Sequence, residues 1–293
     1  MRDRILLCLA HMSGKEQDFI KEAFDSNWIV PLGPNVNGFE NDLEEFVNNR
    51  EDTTPLDKKV VALSAGTAAV HLALIACGVG PGDEVLVQSF TFCASSHPIT
   101  YCGATPVFVD SEKESWNMDP ELLEEAIKDR IAKTGKKPKA IIPVALYEEL
   151  LRDVNGITMH TNPDKEYDSN FWLCTATLDP DLKIKGQENA YKTIITGAVG
   201  GAAGVIHAAS TATTDCQPND NVEALRVYLD KANIEARPLW KPMHKQPVYK
   251  DAPAYVNGVS EALFKVGICL PAGPYVTDDD VRYIVDTIKD AIE

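Results

Sequence analysis

Short apolar runs alternate with segments of helical spacing through the first half of the chain, and this alternation constrains the fold more than any other feature. Residues 60–64, 84–88, 105–110 and 139–145 are strand-length runs with few polar positions. Strands that are apolar on both faces belong to parallel sheets covered by helices on each side. Residues 68–77 are apolar nearly all round, which predicts a buried helix. Asp119 followed by Pro120 is an N-cap with proline in the first turn, and Leu122, Leu123, Ala126, Ile127 and Ile131 follow on one face. Ser13 and Glu16 have capping-box spacing ahead of Phe19, Ile20, Ala23 and Phe24. Residues 38–48 read as another short helix, 92–101 as a helix or loop, and the apolar N-terminus as a buried first strand.

The second half reads as a smaller α+β unit. Residues 170–178 form a strand and 221–232 a helix, and Thr277 caps a final helix with Val281, Ile284, Val285 and Ile288 on its apolar face. One junction breaks the pattern. Residues 141–147 read as a strand and 148–154 as a helix, with no Gly, Asn, Asp or Ser at the join. A strand-to-helix turn draws on such residues, and the helix needs a cap. Strand running straight into helix implies two segments joined without a designed connection, so the expected domains are 1–147 and 148–293.

Lys plus Arg number 28 and Asp plus Glu 44, a net charge of −16 spread along the chain. A nucleic-acid binder needs a basic face, so no nucleic-acid partner is expected, and the charge reads as solubility. The seven cysteines are an odd count with no CxxC pair, which argues against a zinc site or disulfide scaffold and fits a reducing cytoplasm. The longest weakly polar run, 194–209, is too short to span a bilayer. The N-terminal apolar stretch is short and no small-x-small cleavage site follows, so it is not read as a signal peptide.

Ser64-Ala-Gly-Thr67, between a predicted strand and helix, gathers backbone N–H groups, a hydroxyl and a helix N-terminus, an arrangement suited to a phosphate. The same pattern also occurs as a tight turn that binds nothing. The glycines at 197, 200, 201 and 204 match neither GxGxxG nor a P-loop, and read as a packed helix or a loop. His71 reads as a core histidine. His244 lies in a Pro-ordered loop, 237–246, with Arg237 and Gln246, where either function or a surface anchored by Trp240 would account for the pattern. Cys93 and Cys102 have no neighbouring base, and the acidic run 278–280 is helix N-terminal charge, so no metal site is expected.

Taken together, these segments resemble the DegT/DnrJ/StrS-type pyridoxal-phosphate-dependent sugar aminotransferases. The matching stretches are His11-Met-Ser-Gly, Asn27-Trp-Ile-Val-Pro-Leu-Gly-Pro34, Leu63-Ser-Ala-Gly-Thr-Ala-Ala-Val-His-Leu-Ala-Leu74 and Gly80-Pro-Gly-Asp-Glu-Val-Leu-Val-Gln-Ser-Phe-Thr-Phe92. Ala104-Thr-Pro-Val-Phe-Val-Asp110, the Arg237 to Gln246 segment and Cys269-Leu-Pro-Ala-Gly273 complete the set in family order. The resemblance implies an α/β type I aminotransferase fold, a large cofactor domain and a small C-terminal domain, and a cytoplasmic homodimer. It implies that Ala65, Gly66 and Thr67 hold the cofactor phosphate, that Phe92 stacks on the pyridine ring, and that Trp28, Arg237, His244 and Gln246 lie toward a keto-sugar nucleotide. An amino acid would be the amino donor.

The chain departs from the family at its centre. Such enzymes carry a Lys that forms the Schiff base and an Asp on the pyridinium nitrogen, in segments resembling Ser-Phe-Asn-Gly-Asn-Lys and Val-Glu-Asp-Ala-Ala. Neither segment occurs here, and the gap coincides with the odd junction at 147/148. The large domain and its parallel sheet are expected to be incomplete, with a block on the order of a hundred residues missing. Lys58, Lys59, Lys136, Lys137, Lys139, Lys192 and Lys241 lie in no apolar pattern that would fit a substitute. The expectation is membership by descent with no catalytic residue retained. The alternatives are a non-catalytic binding or dimerisation partner of an intact homologue, and a phosphate or nucleotide binder using only Ser64 to Thr67.

Overall fold

A computed structural model describes residues 2–49, 58–144, 154–160, 173–191 and 216–293. The chain divides into two compact units, residues 10–69 and residues 1–9 with 70–293.

The unit 10–69 carries helices α1 (Glu16–Asp25) and α2 (Pro34–Asn48) and the start of α3 (Gly66–Ala76). The Glu16 carboxylate accepts from the Ser13 N–H and hydroxyl as the spacing predicts, but the hydroxyl caps Lys15 and the helix begins at Glu16. Gly33 precedes α2 with φ of 132°, a backbone that suits glycine, and a side chain there would press on the Trp28 ring. The expected strand at 60–64 does not form. Its backbone is taken by α2 instead, with the Val60 N–H donating to Glu44 and the Ala62 N–H to Glu40.

In the larger unit, β1 (Glu84–Gln88), β2 (Thr105–Val109) and β3 (Ala140–Ile142) form where the apolar runs predict. They make an all-parallel sheet of order β3-β1-β2-β7, whose last strand, β7 (Ala254–Tyr255), comes from the far end of the chain. The connections use α4 (His97–Tyr101) and α5 (Pro120–Thr134). Asp119 caps α5 as predicted, accepting from the Glu121 and Leu122 N–H groups. Val85, Leu86, Val87, Val107, Phe108 and Val109 have no exposed surface, so both faces of β1 and β2 are covered. Two expectations need correction. Helix α3 is not buried: of its residues only Leu74 is, and Leu72 and Ile75 are 44% and 53% exposed. The N-terminus is no strand but a single bridge from buried Ile5 to Ile234.

The second sheet is antiparallel, in the order β4-β5-β8-β6. Its strands are β4 (Ile157–Met159), β5 (Cys174–Leu178), β6 (Arg237–Pro238) and β8 (Gly267–Leu270). Helices α6 (Asp220–Lys231) and α8 (Asp278–Ala291) pack on it through Val222, Leu225, Leu229, Ile284 and Ile288. Thr277 caps α8 as expected, and together with Asp280 it completes a capping box. Helix α7 (Val259–Val266) precedes β8. None of the seven cysteines is joined in a disulfide. No helix among the described residues is long and apolar enough to cross a membrane. The 147/148 junction, residues 170–172, the 197–204 glycines and Lys192 lie outside the described residues.

Candidate functional site

Ligands of open parallel sheets bind beyond the carboxyl ends of the strands, so the residues just past β1 and β2 are the place to build from. Gln88 closes β1 and has no exposed surface. Its amide N–H groups reach the Trp116 carbonyl at 2.9 Å and the Phe90 carbonyl, and its amide oxygen accepts from the Val144 N–H at 3.1 Å. One buried side chain thus ties the ends of β1 and β3 to the loop that follows β2.

Ser89 and His244 meet next to it. The Ser89 Oγ lies 2.6 Å from His244 Nδ1 and also accepts the His244 backbone N–H. His244 Nε2 is 3.2 Å from Glu261 in the first turn of α7, which also pairs with Lys245. Burial works to raise the Glu261 carboxyl, but the bonds from His244 and Lys245 outweigh it and hold it below the ordinary range. Both ring nitrogens of His244 are therefore engaged inside the protein. Asp110, just past β2, is also fully buried and accepts four backbone N–H groups, from Ser111, Asn257, Gly258 and Ser260.

Phe92 is 46% exposed and its ring centroid lies 5.2 Å from that of Trp240. Arg237 on β6 forks onto Glu235, and Gln246 donates to the Lys241 carbonyl. Phe92, Arg237, His244 and Gln246 thus all belong to the larger unit, whereas Trp28, Ala65, Gly66 and Thr67 belong to the unit 10–69. There, Gly66 and Thr67, expected in the turn just before the helix, are the first residues of α3, and a side chain at Gly66 would meet nothing within 4 Å. The first-turn N–H groups of an eleven-residue helix, unscreened over Gly66, can hold a phosphate. His71 is not the core histidine expected but half-buried, edge-on to the Tyr101 ring at 5.5 Å. No group of three or more metal-ligating side chains occurs among the described residues.

The sequence reading missed a further pair. His160, after β4, stacks face to face on Trp116 at 3.7 Å and 13°. Trp116 holds a left-handed backbone, φ 61°, which costs a tryptophan about 1 kcal/mol or more and is braced by Gln88. Burial pushes the imidazole down to about 4, against an opposing pull from Glu112. The unfolded chain therefore binds a proton that the folded one refuses between roughly pH 6.5 and 4. Stability from this group is complete above pH 6.5 and is lost as pH falls toward 4. The full shift corresponds to about 3 kcal/mol, and attraction of a protonated ring to the indole offsets about 1 kcal/mol of it. His160→Phe, which keeps the stack without the titration, is expected to flatten the loss of unfolding free energy between pH 7 and 5. Parallel pH profiles for the two proteins would contradict this.

A profile of the DegT/DnrJ/EryC1/StrS aminotransferase family matches residues 11–158 and 187–289. A protein described as a pyridoxal phosphate-dependent aminotransferase, EpsN of Bacillus subtilis (strain 168), is 32% identical over 384 aligned residues, covering 98% of this chain and 96% of the relative. The GDP-perosamine synthase of Caulobacter vibrioides is 39% identical over 147 residues, 50% of this chain and 36% of the relative. The PMP form of a protein described as a sugar aminotransferase, Spr1654 from Streptococcus pneumoniae, superposes with a TM-score of 0.62 at 21% identity, covering 98% of this chain and 97% of that one. The architecture is the type I fold of the pyridoxal-phosphate-dependent sugar aminotransferases. The chain belongs to the DegT/DnrJ/EryC1/StrS aminotransferase family, in which pyridoxal phosphate is the cofactor.

Proposed function

We propose that this chain descends from enzymes that aminate keto-sugar nucleotides and does not itself carry out transamination. The observation that carries this reading is the setting of its lysines: among the described residues every lysine is exposed or half-buried. A lysine that bonds covalently to the cofactor works with its amine desolvated or beside another cation.

Each unit by itself keeps one feature that suits the cofactor, and neither shows what its reactive end needs. The α3 N-terminus at Ala65, Gly66 and Thr67 suits its phosphate, and Phe92 offers an exposed ring to a planar partner. The reactive end would need a lysine and a carboxylate, and the sequence has no segment like those that supply them in the family. Length supports the same conclusion. The alignment with the Bacillus relative runs to 384 positions against the 293 residues present here, a shortfall of about ninety positions, which is the scale of a small domain.

What remains is a binding protein in outline, cytoplasmic, with a partial large domain over 1–147 and a small domain over 148–293. In the larger unit, the segment bearing Arg237 and Gln246 faces a sugar nucleotide, and His244, whose ring nitrogens are both engaged within the protein, holds that segment in place. The described residues of the unit 10–69 include none that is buried, and Phe19, Ile20, Phe24, Phe39 and Phe46 are exposed on α1 and α2. That favours a homodimer, or assembly with an intact homologue as a non-catalytic partner.

Borohydride treatment of the purified chain with pyridoxal phosphate tests the central point. The expected result is an absorbance that dialysis removes and no stoichiometric adduct on any one lysine by peptide mass mapping. One lysine trapped quantitatively would overturn the proposal.

A further inference from the structure

Ser89, His244 and Glu261 have the residue types of a hydrolytic triad, but Ser89 has no exposed surface and its oxygen already accepts the His244 N–H, so it offers no nucleophile. The arrangement does something else. We infer that His244 is a positioning residue: it clamps the 243–245 turn between the end of β1 and helix α7, and so sets where the Phe92 and Trp240 rings meet.

The turn is held from two sides. On the β1 side, the Met243 N–H donates to the Ser89 carbonyl at 2.8 Å, the His244 N–H to the Ser89 Oγ at 3.2 Å, and the imidazole Nδ1 meets the same oxygen at 2.6 Å. On the other side, Glu261 meets the imidazole Nε2 and the Lys245 ammonium, each at 3.2 Å. Ser89 Oγ has a single hydrogen. Every atom of the clamp is satisfied when that hydrogen goes to Nδ1 and Nε2–H donates to Glu261. Neither nitrogen is then left to contact a ligand. Helix α7 is in turn pinned at its N-terminus by Asp110, so the clamp reaches from the end of β1 to the end of β2.

Phe92 and Trp240 lie on the two strands of chain that this clamp joins. Phe92 is three residues past Ser89, and Trp240 four residues before His244. Their ring contact at 5.2 Å and 58° is therefore fixed by where the turn is seated on β1. The inference concerns the chain without ligand and stands apart from the proposed loss of transamination.

The test uses the full chain labelled with 5-fluorotryptophan, its Trp240 fluorine resonance assigned through Trp240→Phe. His244→Leu cuts both side-chain bonds and is expected to move the Trp240 resonance. Ser89→Ala is expected to move it in the same direction, and the double variant no further than the larger single change, since the two side chains act as one unit. His244→Asn places an amide where Nδ1 stood and is expected to return the resonance to near its parent position. A Trp240 resonance unmoved in His244→Leu would overturn the inference. So would additive shifts in the double variant, or a His244→Asn resonance as displaced as that of His244→Leu. Circular dichroism on each variant separates a local shift from failure to fold. Should His244→Leu not fold, Ser89→Ala alone carries the same prediction, and an unmoved Trp240 resonance there overturns the inference equally.

Discussion

Asp110→Asn is expected to destabilise the protein by about 3–5 kcal/mol, as much as Asp110→Ala, although the change is nearly isosteric. The reason is the count of donors. Oδ1 accepts from Ser111 and Ser260, at 2.8 and 3.1 Å, and Oδ2 from Asn257 and Gly258, at 3.2 and 3.0 Å. An amide in either orientation turns an NH2 toward two of those N–H groups, leaving three donor groups and no acceptor on that side of a side chain with no exposed surface. Each stranded buried donor costs about 1–3 kcal/mol, and the charge-assisted strength of the remaining bonds is lost as well. The carboxylate is tolerated at this depth because the four donors and the N-terminus of α7 replace its hydration. Urea unfolding followed by circular dichroism measures the effect. An Asp110→Asn protein within about 1 kcal/mol of the parent would show that the site relaxes or admits water.

Elements whose signals are local were legible in the sequence. Val85 to Val87 and Val107 to Val109 read as doubly covered strands because an apolar run needs no distant partner to be recognised. Asp119 and Thr277 declare their helices through bonds that reach only two or three residues. The failure at 60–64 has the opposite character. Its apolar run looks like a strand, yet carboxylates at Glu40 and Glu44, some twenty residues earlier, take its N–H groups. The helix expected at 68–77 forms at 66–76, but its exposure is not legible, because an all-round apolar composition says what a helix could bury and not what lies beside it.

The site divides in the same way. Gly66 and Thr67 at a helix start follow from the turn residues alone. Ser89 with His244 is 155 residues apart in sequence, and Asp110 with Ser260 is 150 apart. Only topology joins them: β7, from the far end of the chain, pairs with β2 and brings α7 to the strand ends. A partial signal was present nonetheless. Gln88 and Asp110 are the polar residues that close two otherwise apolar strands, and such a residue needs a partner beyond the strand.

The exposed faces of α1 and α2 yield the prediction with the widest consequence for how this chain behaves in a cell. Helices of ten and fifteen residues are marginal in water unless an apolar face is covered, and here Phe19, Phe24, Phe39 and Phe46 are each more than half exposed. A second copy of the chain is expected to cover them. Closed two-fold contact uses the same patch on both copies, so one substitution appears twice in the interface. Burying a phenylalanine stabilises by about 1.5–3 kcal/mol, and a carboxylate in its place adds a desolvation penalty. Phe24→Glu is therefore expected to weaken dimerisation at least about a hundredfold, with far-ultraviolet circular dichroism little changed. Sedimentation velocity across a concentration series reads this directly. A parent chain that is monomeric at tens of micromolar would rule out the homodimer. If such a monomer pairs with an intact family member, and Phe24→Glu abolishes that pairing, the same face serves a non-catalytic subunit instead. A dimer unaffected by Phe24→Glu would move the interface off this face altogether.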